Sequence, residues 1–139
     1  KCAIVGSGVS DFPANNLSYR NNGISNMFKY EADQYRMKGS LFQYQDQYIE
    51  NSPVFSVKNI KTPVLIFHND KDRAVPFEQG MELFFALRRL QKPAWLINYS
   101  GEGHTLDEKK NQIDWTKRME KFFAHYLLGA QSEDWMNEN

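Results

Sequence analysis

The sequence predicts an α/β fold with about three parallel strands and flanking helices. Three short apolar runs carry that expectation: "CAIV" at 2–5, "VLIF" at 64–67 and "AWLINY" at 94–99. Two amphipathic stretches of helical length accompany them, one between the second and third runs and one after the third. Strand alternating with helix is the pattern of parallel βαβ units, whose sites lie beyond the carboxyl ends of the strands.

The first run is closed by "GSG", and a short continuous apolar segment bounded by glycine suits a strand covered on both faces. The second run reads the same way. The third is launched by Pro93 and stopped by "SGEG", which is strand punctuation. In "PFEQGMELFFALRRLQ", Phe77, Met81, Phe84 and Leu87 with Arg88 recur at helical spacing. Glu78 and Glu82 come early and Arg88 and Arg89 late, an order that suits the helix dipole. "KNQIDWTKRMEKFFAHYLLG" places Trp115, Met119, Phe122, Phe123, Tyr126 and Leu127 on one face and stops at Gly129 in the manner of a helix C-cap.

Residues 11–53 differ in texture, being crowded with Asn, Gln and Tyr. They read as an excursion of short helices between the first and second strands. Its aromatics, Phe28, Tyr30, Tyr35, Phe42, Tyr44 and Tyr48, are expected to build a small core of their own. The tail "SEDWMNEN" is expected to fray.

A chain of 139 residues is the size of one ordinary domain. Lys plus Arg and Asp plus Glu are balanced at 17 each, so no electrostatic footprint favours nucleic acid or an anionic membrane. No apolar run approaches the length of a spanning helix, and the start lacks the regions of a signal peptide. The chain opens inside an apolar segment, "KCAIVGSG", and is expected to be cut from a longer protein. The lone Cys2 has no disulfide or metal-ligand companion and reads as a small buried hydrophobe.

Chemistry concentrates in "FHNDKDRAVPF", residues 67–77, which ends a buried run with His68, Asp70, Lys71, Asp72 and Arg73. Asp72 follows the second strand and His104 the third, so a parallel sheet brings both to one rim. A carboxylate there can hold an imidazole in the tautomer that accepts a proton from a nucleophile, and can stabilise the imidazolium that forms. Asp70, Lys71 and Arg73 read as solvated loop charges, His68 as a structural residue hydrogen-bonding its loop, and His125 as a surface or half-buried helix residue. A metal reading of His68, Asp70 and Asp72 lacks further ligands. "GSGVSD" offers a lone GxG to a dinucleotide, but Asp11 stands where a third glycine belongs, and Pro13, Asn15 and Asn16 argue against a clean helix start.

"NIKTPVLIFHNDKDRAVPFEQGMELFFALRR" followed by "INYSGEGHTL" resembles the end of the catalytic domain in the prolyl oligopeptidase family of serine peptidases, which includes dipeptidyl and acylaminoacyl peptidases. The likeness runs from "SGVSDF" to "YLLGAQSEDWM". It implies the C-terminal part of an α/β-hydrolase domain over 1–139, with a helical insertion at about 11–53. It also implies Asp72 as catalytic acid and His104 as base, Val75 and Pro76 at the Val-Pro positions, and Gln79 and Leu87-Arg88 in the following helix. Val75 and the aromatic insertion would then help form the substrate pocket, the substrate would be a peptide, and no metal or organic cofactor would be needed. Asn69 departs from the usual glycine, and its tolerance of a left-handed backbone would let the turn survive. The nucleophile motif GxSxG is absent from these residues, and Ser7 in "GSGVS" lacks its spacing. The serine is therefore expected upstream and this stretch alone is expected to be inactive. A carboxylesterase of the same fold and a non-catalytic interaction module are the competing readings. A strand cut from its neighbour would expose an apolar edge, so a homo-oligomer is expected.

Overall fold

The computed structural model describes residues 1–20 and 23–137. Its centre is a parallel sheet of three strands, β1 (Ala3–Gly6), β2 (Val64–Phe67) and β3 (Ala94–Ile97), in the order β1-β2-β3. Val64 pairs with Ala3 on one side and Ala94 on the other, so the strands end together and their following loops share one rim.

The expectation that the first two runs are covered on both faces holds for β2 alone. Every residue of β2 is buried, whereas most of β1 and of β3 is half-buried because each has a strand on one side only among the described residues. β3 is also shorter than the apolar run. The Tyr99 N–H leaves the ladder and donates to the Asn69 side chain, so pairing stops at Ile97.

Alternation along β2 sends its side chains to two layers. Val64 and Ile66 pack with Leu83 and Leu87 of α4 (Phe77–Arg89), Val57 and Ala94. Leu65 faces Phe122 of α5 (Lys109–Leu128) and Met136, with Trp95, Trp115 and Tyr126 around them. Helices thus cover both faces of the sheet.

The periodicity located both helices and misplaced parts of their faces. In α4 the buried residues are Gln79, Gly80, Leu83 and Leu87, while Phe85 is exposed and Met81 and Phe84 are half-buried. The buried face turns toward Gly80 because that is where the helix meets His68. In α5 Phe122 is fully buried, but Phe123 and Leu127 lie exposed beyond the sheet-facing stripe. Gly129 takes a left-handed φ of 74° and closes α5 as expected. The tail does not fray over 134–137. It forms a short helix, α6 (Asp134–Asn137), whose Met136 is buried and whose Met136 carbonyl accepts from Trp95 Nε1. Residues 138 and 139 lie outside the described residues.

The excursion contains α1 (Phe12–Asn16), α2 (Met27–Glu31) and α3 (Gln45–Glu50), followed by a 3₁₀ segment, Pro53–Asn59. The helix start at α1 is cleaner than the composition suggested. The Asp11 carboxylate caps the Ala14 N–H, and Pro13 sits in the first turn, where its missing N–H has no intrahelical partner to lose. Tyr30, Met37, Leu41 and Tyr48 form the separate core, joined by Phe12, Tyr35 and Tyr44. Phe28 and Phe42 do not take part; Phe42 is 81% exposed. Gln79 fastens this excursion to α4, because its Oε1 accepts from both Ser10 N and Asp11 N while its carbonyl accepts from Ser10 Oγ.

Candidate active site

Two loops make the site, one after β2 and one after β3. Within the first, Asp72 Oδ1 accepts from the N–H groups of Ala74 (2.8 Å) and Val75 (2.9 Å), which fixes the carboxylate from inside its own turn. Its other oxygen, Oδ2, lies 2.8 Å from His104 Nδ1. The predicted acid and base therefore meet. Asp72's side chain is 0% exposed and that of His104 47%, so the carboxylate is enclosed while the imidazole faces outward.

An ionised carboxylate can only accept, so the proton of this pair resides on His104 Nδ1 and leaves Nε2 as an acceptor. Burial pushes the Asp72 carboxyl up, but hydrogen bonds from Val75 N–H, His104 and Ala74 N–H outweigh it and hold the group below the ordinary carboxylate range. The result is a charged carboxylate at neutral pH enclosed in its own turn.

His68 takes the structural role its position suggested. It is fully buried, its Nε2 donates to the Val75 carbonyl at 3.1 Å, and the same nitrogen lies 3.4 Å from Asp72 Oδ2. Its Nδ1 has no hydrogen-bond partner among the described residues and faces Gly80 of α4. A Cβ at Gly80 would sit 2.6 Å from that Nδ1 and 2.7 Å from the His68 Cβ, closer than atoms pack. Gly80→Ala is accordingly expected to destabilise the fold by about 1–3 kcal/mol through overpacking, even after the gain of up to about 1 kcal/mol in helix propensity. Thermal melting of the full-length protein checks it, and an unchanged or raised melting temperature would contradict it.

The other charges separate by role. Asp70 points to the β3 loop, accepting from Gly101 N at 2.7 Å and Ser100 Oγ at 3.2 Å; these bonds, the Gly101 N–H foremost, hold its carboxyl below the usual range. Lys71 and Arg73 are exposed loop charges. Among the described residues no group of three or more His, Cys, Asp or Glu side chains converges on a common point that could hold a metal ion. His125 is half-buried, with Nδ1 donating to the Ala130 carbonyl. Cys2 is half-buried just before β1.

Ser7 has a φ of 43° and is buried, yet its Oγ donates to the His104 carbonyl at 3.3 Å. It thus braces the backbone of His104. Val75 is buried, with both backbone groups committed to the acid loop, its N–H to Asp72 and its carbonyl to His68. Two clefts flank the pair. One of about 520 Å³ is bordered by Lys71, Arg73, Gly103, His104 and Asp107. The other, about 390 Å³, runs between Tyr19, Arg20 and Asn26 of the excursion and Asp72, Ala74 and Pro76.

The roles of two contributors escaped the sequence reading. Glu102 is buried and accepts from Asp107 N, Glu108 N and Asn111 Nδ2, so it gathers the start of α5 beneath the His104 loop. The Asp107 N–H leads the causes that hold its carboxyl below the usual range. Glu102 stood in the quoted "INYSGEGHTL", and the run of polar N–H groups before a helix could have flagged a carboxylate anchor. Asn69 is the second. Its backbone is not left-handed, contrary to the expectation above; among the described residues the positive-φ positions other than glycine are Ser7, Arg36, Lys38 and Gln91. Its side chain is instead buried and bonded on both sides, to Tyr99 N (3.0 Å) and Gly103 O (2.8 Å).

A parallel sheet clad by helices, with acid and histidine on the loops after successive strands, is an α/β-hydrolase arrangement. Solved structures agree on the fold. An acylaminoacyl peptidase of Pyrococcus horikoshii superposes with a TM-score of 0.76 at 22% identity, covering 94% of this chain and 21% of that one. A puromycin-hydrolyzing peptidase of Mycobacterium tuberculosis gives 0.75 at 22% identity, covering 91% and 18%. The prolyl oligopeptidase family model matches residues 1–130, and the chain belongs to that family. Among its relatives, the acylamino-acid-releasing enzyme of Rattus norvegicus is 36% identical over 69 residues, which is 50% of this chain and 9% of the enzyme. The uncharacterized peptidase YuxL of Bacillus subtilis strain 168 is 26% identical over 119 residues, 86% of this chain and 17% of the relative. The chain thus spans less than a fifth of either relative's length.

Proposed function

We propose that this chain supplies the acid and the base of a serine peptidase relay, Asp72 and His104, to a nucleophilic serine outside these 139 residues. The observation that carries the reading is the 2.8 Å bond between His104 Nδ1 and a buried carboxylate whose other oxygen is already held by two backbone N–H groups. In that relay the serine hydroxyl gives its proton to His104 Nε2 as it attacks the peptide carbonyl, forming the acyl-enzyme bond. His104 returns the proton to the departing amine, then deprotonates the water that releases the acyl group. Asp72 orients the ring and stabilises its protonated form. Val75, buried against Asp72 behind Ala74 and Pro76, which border the smaller cleft, is proposed as an apolar substrate contact.

Family membership supports peptides as the substrate class, and the name of the Rattus norvegicus relative points to acylated N-terminal residues. The test is to treat the full-length protein with a serine-directed phosphonate while following hydrolysis of N-acyl-peptide amides and matching esters. One labelled serine and parallel loss of amide cleavage are expected. Hydrolysis that persists in the fully labelled protein would reject the relay, and ester cleavage without amide cleavage would move the assignment to an esterase.

A further inference from the structure

We propose that Asn69 is a positioning residue for His104, a role that rests on the relay reading above. The two loops part after the Phe67–Ile97 pairing and the bond from His68 N to the Ile97 carbonyl, and beyond that point ladder bonding gives way to an isolated backbone bond from Lys71 N–H to the Glu102 carbonyl. Asn69 continues the connection with its side chain. Oδ1 accepts the Tyr99 N–H at the exit of β3, and Nδ2 donates to the carbonyl of Gly103, the residue before the base. Its own carbonyl accepts the Asp72 N–H. One residue therefore holds the acid through its backbone and the base's neighbour through its amide.

Chemistry decides that this is more than a generic brace. The amide is planar, needs both its donor and its acceptor here, and is 0% exposed, so neither bond is exchanged readily for water. Asp72 is locked from within its own turn, whereas His104 is half-exposed and depends on its loop for its place. Moving Gly103 moves the base relative to a fixed acid. Glycine at position 69, the residue the resemblance leads one to expect, could make neither side-chain bond, so this chain carries its own device for setting the distance.

The experiment compares Asn69→Ala, Asn69→Asp, Ser100→Ala and His104→Ala in the full-length protein. Ser100→Ala removes another bond across the same loops, Ser100 Oγ to Asp70, at an exposed place away from Gly103. Asn69→Asp keeps the acceptor for Tyr99 N–H but sets an oxygen against the Gly103 carbonyl, and it carries the comparison should Asn69→Ala fold poorly. Both Asn69 variants are expected to lose about 10–100-fold in kcat, as a misplaced base does, with KM within about threefold. The low-field proton resonance of the His104–Asp72 bond is expected to broaden or shift in them and to persist in Ser100→Ala, whose kcat should stay within about twofold. An inactive His104→Ala beside a folded Asn69 variant of near wild-type kcat would overturn this inference alone. Equal losses in Ser100→Ala and Asn69→Ala would do the same, by showing that any cross-loop bond matters alike. An active His104→Ala would remove the relay and the inference together.

Discussion

Replacing His104 by alanine in the full-length protein is expected to lower kcat for a peptide amide by about 10⁶-fold, the scale seen when a relay loses its base. The serine hydroxyl would then have no acceptor for its proton and the leaving amine no donor, so both halves of the acyl transfer slow together. KM should change little, because the imidazole acts on the substrate through a transferred proton. The fold should survive. The side chain is half-exposed, its one side-chain bond among the described residues is to Asp72, and the Asp72 oxygen it leaves still has His68 Nε2 at 3.4 Å. Turnover within tenfold of wild type, with contamination excluded by phosphonate titration, would remove His104 from the mechanism.

The parts of this fold that the sequence showed are those in which one residue type answers to one physical demand. β2 is legible because its four residues must be apolar on both sides, and α5 ends where a glycine can adopt a positive φ. Asp72 and His104 are legible because parallel topology alone brings loops after neighbouring strands to one rim. Helix faces are less so. In α4 the choice between Gly80 and Phe84 as the inward position depends on a histidine from another element needing the space that a missing Cβ provides. The same limit hid Asn69 and Glu102, whose roles reside in partners about 30 and 5–9 positions away. A polar residue in a loop reads as solvated until its distant donors are placed. The tail misled for a related reason: its charges suggest solvent, while Trp135 and Met136 complete the α5 side of the core.

Asp72→Asn is expected to cost about 10⁴-fold in kcat while leaving the fold nearly intact, and the direction follows from which atoms the site can accept. Ala74 N–H and Val75 N–H both need an oxygen at the Oδ1 position, so the amide oxygen of an asparagine must stay there. Its NH₂ is thereby turned toward His104 Nδ1. A donor at that place favours the imidazole tautomer with Nδ1 bare and the proton on Nε2, where it blocks acceptance of the serine proton. The charge that steadies the imidazolium is lost as well. Stability gives an independent check through pH. Asp72 has a native pKa below its ordinary value, so the stability it contributes is fully present above about pH 4 to 5 and is lost as pH falls through the depressed native value. The difference in melting temperature between wild type and Asp72→Asn should therefore shrink on acidification, while the kcat loss remains at neutral pH. If the variant turned over within tenfold of wild type, or if the melting difference grew toward low pH, Asp72 would be neither the orienting acid nor the buried anion that its contacts describe.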